Sequence, residues 1–227
     1  MEGRLFTFLG AIGGHGQEWI ILSHYILVLG IVFLLARAAT KKMQLVPTGA
    51  QNVMETFIGG VISMGADTMG EENARRYLPL IGSLALVIVI ANLMGVVPGF
   101  ESPTANINFT LSLALIVFVY YNYLGIKKNG FAGYFGHFMG PMPILAPLMF
   151  PIEIISHLSR IISLSFRLFG SIRGDDMFTM VLLMLVPWLV PISGFFLLTA
   201  FAFLQAFIFS ILTYVYIAGS IMMEEEH

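Results

Sequence analysis

The sequence predicts an all-α membrane protein: about five transmembrane helices plus an interfacial amphipathic helix, the last two spans long and steeply tilted. Three observations predict it. Of the 227 residues, 58% are hydrophobic and only 11% are charged, with a mean hydropathy of +0.88. A soluble domain of this size carries about a quarter charged residues. Asp, Glu, Lys and Arg are missing from residues 19–36, 78–100, 102–126, 130–152 and 177–223, and a spanning helix needs about 20 apolar residues. Finally, the basic residues gather in two connections between these stretches and avoid a third.

The first three stretches each read as one crossing, at about 19–38, 78–98 and 107–126. Residues 1–17 contain Glu2, a single arginine and a weak apolar run. They do not resemble a cleaved signal peptide, so the first crossing is expected to remain in the protein. Between the first two crossings, Val53, Met54, Phe57, Ile58, Val61 and Ile62 recur at helical spacing, with Gln51, Asn52, Glu55, Thr56 and Ser63 elsewhere on the wheel. This predicts an amphipathic helix over 48–66, lying in the membrane interface or packed on another subunit.

Prolines divide the rest. Pro141, Pro143 and Pro147 crowd the fourth stretch, so its helix is expected to begin near Ile144. The fifth stretch runs 47 residues, too many for one crossing, and Pro187-Trp188-Leu189-Val190-Pro191 is its natural break. One helix over 144–186 would be about 65 Å long and another over 192–223 about 48 Å, at 1.5 Å per residue. The hydrocarbon core is about 30 Å thick, so helices of that length must tilt steeply. Separate shorter spans are the alternative. Residues 1–227 then form a single polytopic membrane domain, without the internal repeat that marks many secondary transporters.

Loop charges orient the chain. Arg37, Lys41 and Lys42 follow the first crossing, Arg75 and Arg76 precede the second, and Lys127 and Lys128 follow the third. The second-to-third connection holds Glu101 and no cation. The positive-inside rule therefore places the N-terminus outside, and both basic loops and the Glu224-Glu225-Glu226-His227 tail in the cytoplasm. Composition also excludes functions. A net charge of −2 argues against a nucleic-acid surface. The absence of cysteine removes disulfides, thiolate metal sites and cysteine nucleophiles. There is no Gly-rich phosphate loop, hence no expected nucleotide site, and no metal or other cofactor is expected.

Glu153, His157, Arg160, Arg167, Arg173, Asp175 and Asp176 interrupt otherwise apolar sequence. An ionisable group inside a membrane marks an ion path or a paired partner. Glu153, Arg160 and Arg167 are spaced by seven, with His157 four after Glu153, so all four fall in one helical stripe. Two readings stand for part of this set. Glu153 with His157 or Arg160 also fits an intrahelical pair at the interface, with Arg160 snorkelling. Arg173, Asp175 and Asp176 also fit an extracellular-side turn. Arg167 resists such a reading: its neighbours from 161 to 172 are apolar or small, and a guanidinium does not shed its charge. Asp176 is nine residues on, about 180° round an ideal helix, so Arg167 needs a carboxylate from elsewhere. On the last helix Gln205 is the central polar residue, flanked by Ala202 and Ala206. It suits an interhelical hydrogen bond and is a candidate to face Arg167 across the helix pair.

These residues carry a resemblance. Ser163-Leu164-Ser165-Phe166-Arg167-Leu168-Phe169-Gly170 resembles the signature helix of the F-type ATP synthase a subunit, the family of mitochondrial subunit 6. Leu204-Gln205-Ala206-Phe207-Ile208-Phe209, with Leu212-Thr213 and Tyr216, is similar to its last helix. Pro47–Asn52 with Glu55, Asn92–Gly99, and Pro103–Thr110 resemble its other blocks in order. The resemblance implies that Arg167 is the essential arginine facing the c-ring carboxylate, with Gln205 beside it. It implies a cytoplasmic half-channel at Glu153, an outer one at Asp176, and outer polar positions at Asn92 and Asn108. His157, within the Glu153 stripe, joins the expected proton pathway. The implied partners are the c-ring and the peripheral-stalk b subunits, within the lipid bilayer of a bacterial inner membrane. The implied role is a proton-translocating stator subunit without a catalytic site of its own. Leu198 and Gly95 depart from the family pattern, standing where some members have histidine and aspartate. Asn106 stands in place of a common aspartate, and Asp176 in place of a more usual glutamate.

Charge order agrees with two offset half-channels: Glu153 lies towards the inside, Arg167 in the middle and Asp176 towards the outside. A secondary antiporter is the rival class. It would carry internal repeats and broken helices around a binding carboxylate, whereas the central charge here is an arginine. A membrane protease has no support, since Gly-x-Ser-x-Gly and His-Glu-x-x-His are both absent.

Overall fold

The computed structural model describes Phe8 and residues 17–41, 43–97, 99–137, 146–185 and 190–221. Among these residues it contains six α-helices, one 3₁₀ turn and no strand. The helices are α1 (Gln17–Thr40), α2 (Ala50–Met69), α3 (Glu71–Val96), α4 (Ile107–His137), α5 (Ala146–Leu185) and α6 (Val190–Ile221). The turn, Pro103–Ala105, joins α3 to α4. Five stretches are long and apolar enough to cross a bilayer: Glu18–Thr40, Glu71–Val96, Ile107–Gly130, Pro147–Leu182 and Gly194–Ile221. Large apolar side chains such as Phe33, Val119, Ile155 and Phe196 cover the outside of this bundle. In water they would be costly; in hydrocarbon they are at home. The molecule is an all-α membrane protein.

Its packing is built around α3 and α6, which share the most extensive contact. The α2 helix folds across both, while α4 lies against α5 and α6, and α1 leans on α2 and α3. One core runs through all but α1, joining Val61, Ile81, Val117, Leu168, Phe209 and Tyr214. Ala74, Ala85, Ala114, Ala206 and Ala218 are part of it. In a membrane, where lipid is as apolar as leucine, small residues of this kind let helix backbones approach and gain dispersion contact.

Beyond the two placements open to the amphipathic segment, α2 shows a third feature: it packs within its own chain, on α3 and α6. Val61, Gly65 and Met69 are buried while Val53 is exposed. The apolar stripe is therefore used mainly in its C-terminal half, where α3 and α6 cover it. A one-residue corner at Gly70 makes this possible. Its φ of 81° lies in the left-handed region open chiefly to glycine, and its N–H donates to the Ala66 carbonyl at 3.0 Å.

The α4 helix runs beyond the expected end near 126 and reaches His137, crossing a kink at Gly130 (φ 71°). The glycine turns the chain so that the Tyr134 ring packs on Gly125. Ile144, the expected start of the next helix, lies outside the described residues, as do positions 186–189 of the proline break. Pro147 and Pro191 are each the second residue of a helix, α5 and α6. There the missing N–H has no intrahelical partner to lose.

A test of this packing falls at Gly65. A Cβ built there would stand 2.8 Å from the Ala74 Cβ and press on the Tyr214 ring, which is fully buried. Overpacking of this kind costs about 1–3 kcal/mol. Gly65→Val should therefore lower the thermal midpoint of the purified protein, and an unchanged midpoint would contradict the α2–α3–α6 junction.

Candidate functional site

Of the seven ionisable side chains of α5, Arg173 lies over the Phe169 ring, 5.9 Å from its centroid, and the other six separate into three groups along the helix. The helical rotation explains why. At about 100° per residue, the ten residues from His157 to Arg167 leave them roughly 80° apart. One can turn into the seam with α4 while the other faces out.

The first group lies towards the end that carries Lys127 and Lys128, where Lys128 Nζ donates to the Ile221 carbonyl at 2.9 Å. His157 is buried, 5% exposed, with Nε2 3.4 Å from Glu153 Oε1 and Nδ1 2.9 Å from the Tyr121 hydroxyl. Tyr121 itself is 1% exposed. The Glu153 side chain is 34% exposed, so it joins this interior pair to the surface. Arg160, a turn further on, sits over the Tyr216 ring at 5.5 Å from its centroid. Close by on α4, the Tyr134 hydroxyl donates to Asn122 Oδ1 at 2.7 Å.

The second group lies at the opposite end of the bundle, near the α3–α4 connection. Asp175 and Asp176 line a cleft with Asn92, Gly95 and Leu198. The space free for water-sized occupants is about 20 Å³, enough for roughly one water. Asn92 is 2% exposed and fixed on both sides. The Thr104 hydroxyl donates to its Oδ1 at 2.7 Å, and its Nδ2 donates to the Ala202 carbonyl at 3.4 Å. Ser102 continues the network, 2.6 Å from Thr104 and donating to the Ala91 carbonyl at 2.9 Å. These bonds satisfy polar groups that would be costly to bury alone. They also hold one end of the cleft rigid.

Arg167 stands between the two groups. By helix rise it is about 21 Å from Glu153 and about 13 Å from Asp176. It is exposed on the open face of α5, beside the exposed Ile162 and Phe166. Among the described residues it has no hydrogen-bond or ion-pair partner. Gln205 is 5% exposed, and no hydrogen bond joins it to Arg167. Leu164 and Leu168 of α5 fill the core with Ala206 and Phe209 of α6. The two residues therefore belong to adjoining helices but to different environments, one within the bundle and one outside.

The structure thus brings Glu153 to His157 and Asn92 to Asp176. It leaves Asn108 exposed on α4 and not among the residues lining the cleft. Asn106, two residues earlier, caps α4 by accepting the Asn108 N–H at 2.9 Å. Tyr121, Asp175, Ser102 and Thr104 join the clusters without having been singled out for the site. A tyrosine in an aromatic run carries no periodic signal, whereas Asp175 was visible as a charge but not as a cleft residue. Leu198 and Gly95 meet at the cleft although 103 positions separate them in sequence. No group of His, Cys, Asp and Glu among the described residues has the makings of a metal site.

Long apolar spans with titratable groups at either end and a charge between them define a multi-pass membrane protein of the ion-translocating class. The family model for the ATP synthase A chain matches residues 20–218. ATP synthase subunit a of Aliarcobacter butzleri is 84% identical over 228 residues, covering 100% of both chains. That of a Nitratiruptor species is 59% identical over 226 residues, covering 100% of this chain and 99% of its own. That of Campylobacter curvus is 59% identical over 222 residues, with coverage of 97% and 98%. The chain belongs to the ATP synthase A chain family. It is a proton-translocating subunit of the membrane sector, multi-pass in a bacterial membrane and without a catalytic site of its own.

Proposed function

We propose that this chain couples proton flow to rotation of a c-ring through two half-channels that do not meet. The observation that carries the reading is the arrangement along α5: two polar clusters at opposite ends and, between them, the exposed Arg167 with no partner among the described residues. The positive-inside rule puts the Lys127 end in the cytoplasm and the α3–α4 connection outside. Protons then enter through the cleft of Asp176 and Asn92, to which Asp175 adds a second carboxylate. They leave through Glu153 with His157.

Between the two, each proton travels on a ring carboxylate. The neutral acid can cross lipid, whereas its anion would cost several kcal/mol. Arg167 faces the ring and stabilises the anion only where it passes the subunit. Because it cannot give up its proton, it also prevents protons from passing straight between the half-channels. Gln205 supports the neighbouring helix from within the bundle. Each proton driven by 100 mV contributes about 2.3 kcal/mol. The ring and the b subunits of the peripheral stalk are the partners, and nucleotide chemistry belongs to other subunits of the complex.

The absence of cysteine allows a clean contact test. Phe166→Cys, on the exposed face (55%), should form a disulfide with a cysteine placed on the outer helix of the ring. Leu168→Cys, fully buried, should not. Equal cross-linking from both positions, or from neither, would remove the assignment of the α5 open face to the ring.

A further inference from the structure

Tyr121 lies outside every motif used above, yet its hydroxyl reaches from α4 into the inner cluster and meets His157 Nδ1 at 2.9 Å. The opposite ring nitrogen, Nε2, lies 3.4 Å from Glu153 Oε1, within ion-pair reach but outside hydrogen-bond geometry. A neutral imidazole donates from one nitrogen and accepts at the other. An ionised carboxylate can only accept, so a lone pair on Nε2 facing it would be repulsive. The arrangement is satisfied when Nε2 carries the hydrogen and Nδ1 accepts from Tyr121.

The surroundings agree with that direction. Arg160, whose guanidinium can only donate, has its charge near the Tyr121 hydroxyl and offers no acceptor to compete with His157 for the tyrosine's hydrogen. Asn122 is another side chain near this hydroxyl. Its carbonyl already accepts from Tyr134, and its amide donates to the Phe118 carbonyl at 2.7 Å. Charge balance argues for a neutral ring as well, since Arg160 already supplies a positive charge against the single carboxylate of Glu153. The hydrogen bond between Tyr121 and His157 Nδ1 therefore runs from the tyrosine to the ring, with the Glu153 carboxylate beside the far ring nitrogen.

We propose that Tyr121 is a positioning residue: it fixes His157 as the Nε2–H tautomer and so keeps an N–H, rather than a lone pair, beside Glu153. The inference rests on the reading of Glu153 as the inner proton acceptor. In that role the donor holds the carboxylate in one place and orientation for each arriving proton. Without Tyr121, both tautomers become accessible, and one of the two sets a lone pair against the carboxylate.

Two measurements on the intact complex test this. In complexes carrying ¹⁵N-histidine in bilayers, the His157 signals are identified by their loss in His157→Gln. They should show a neutral ring protonated at Nε2, and Tyr121→Phe, which keeps the volume, should change that to a mixture. A ring protonated at Nδ1, or at both nitrogens, in the unaltered protein overturns the proposal. In membrane vesicles, Tyr121→Phe should slow ATP-driven proton pumping about threefold to tenfold, the span one neutral hydrogen bond confers. It should slow pumping no further in a His157→Gln background. Independent, multiplying losses in the double variant, or wild-type pumping in Tyr121→Phe, also overturn it. Arg167→Ala in the same membranes separates the two levels. If that variant still pumps, the half-channel reading fails, whereas the tautomer remains readable by resonance.

Discussion

Arg167→Ala is expected to abolish ATP-driven proton pumping while leaving the complex assembled. The side chain is exposed and has no partner among the described residues, so its loss opens no cavity and leaves no buried group behind. What is lost is the positive charge available to a ring carboxylate at that level of α5. An uncompensated charge at the bilayer centre costs about 2.5–3.5 kcal/mol, and each 1.36 kcal/mol is tenfold in rate. Pumping should therefore fall by about seventyfold to several hundredfold, into the background of vesicles without the complex. Passive proton leak through the membrane sector should rise, since the barrier between the half-channels has gone. Arg167→Lys should recover little, because a point ammonium can lose its proton whereas a guanidinium does not. Pumping at wild-type level in Arg167→Ala would make the arginine a structural charge and end the two-channel account.

The second large effect is expected in the outer cleft. Asp175 and Asp176 both line it with the buried Asn92. Asp176→Asn removes one of the two cleft carboxylates, and Asp175 remains to exchange protons in the same cleft. The single variant should thus keep a residual rate, and the Asp175→Asn, Asp176→Asn pair should lose it. A positioned acid–base group contributes about 10²–10⁴-fold, so the double variant should fall by at least about a hundredfold. The comparison is made by ATP-driven acidification of inverted vesicles at matched levels of assembled complex. A double variant that pumps like the wild type would show that protons do not use this cleft.

Much of this was legible in the sequence, and the reason is the solvent. In a bilayer each charged residue carries a large penalty, so Arg167, Glu153 and Asp176 stand out from apolar sequence without help from geometry. Apolar length identified the crossings by the same physics. Gly70 and Gly130 were less legible. Both take positive φ, but a glycine in the sequence does not announce which backbone region it will occupy. The extension of α4 to His137 and the corner between α2 and α3 followed from those two angles.

The polar interior was least legible. Nothing in the spacing of Tyr121 separates it from the surrounding aromatic residues, and its bond to His157 spans 36 positions. Asn92 and Ala202 meet across 110 positions. The helical stripe of Glu153, His157, Arg160 and Arg167 was visible, but not that it divides between the α4 seam and the open face.

By itself, then, the sequence determined the class of protein, the number of crossings, the sign and order of the charges on α5, and the family to which they belong. These depend on composition and on local period, which a chain carries with it. Only the tertiary structure decided which charges are sheltered and which stand open, that Asp175 shares a cleft with Asn92 and Leu198, and that α2 packs on its own bundle. Those depend on how helices dock. In a membrane, docking is set by small residues, close contact and a few directional hydrogen bonds, none of which has a period along the chain.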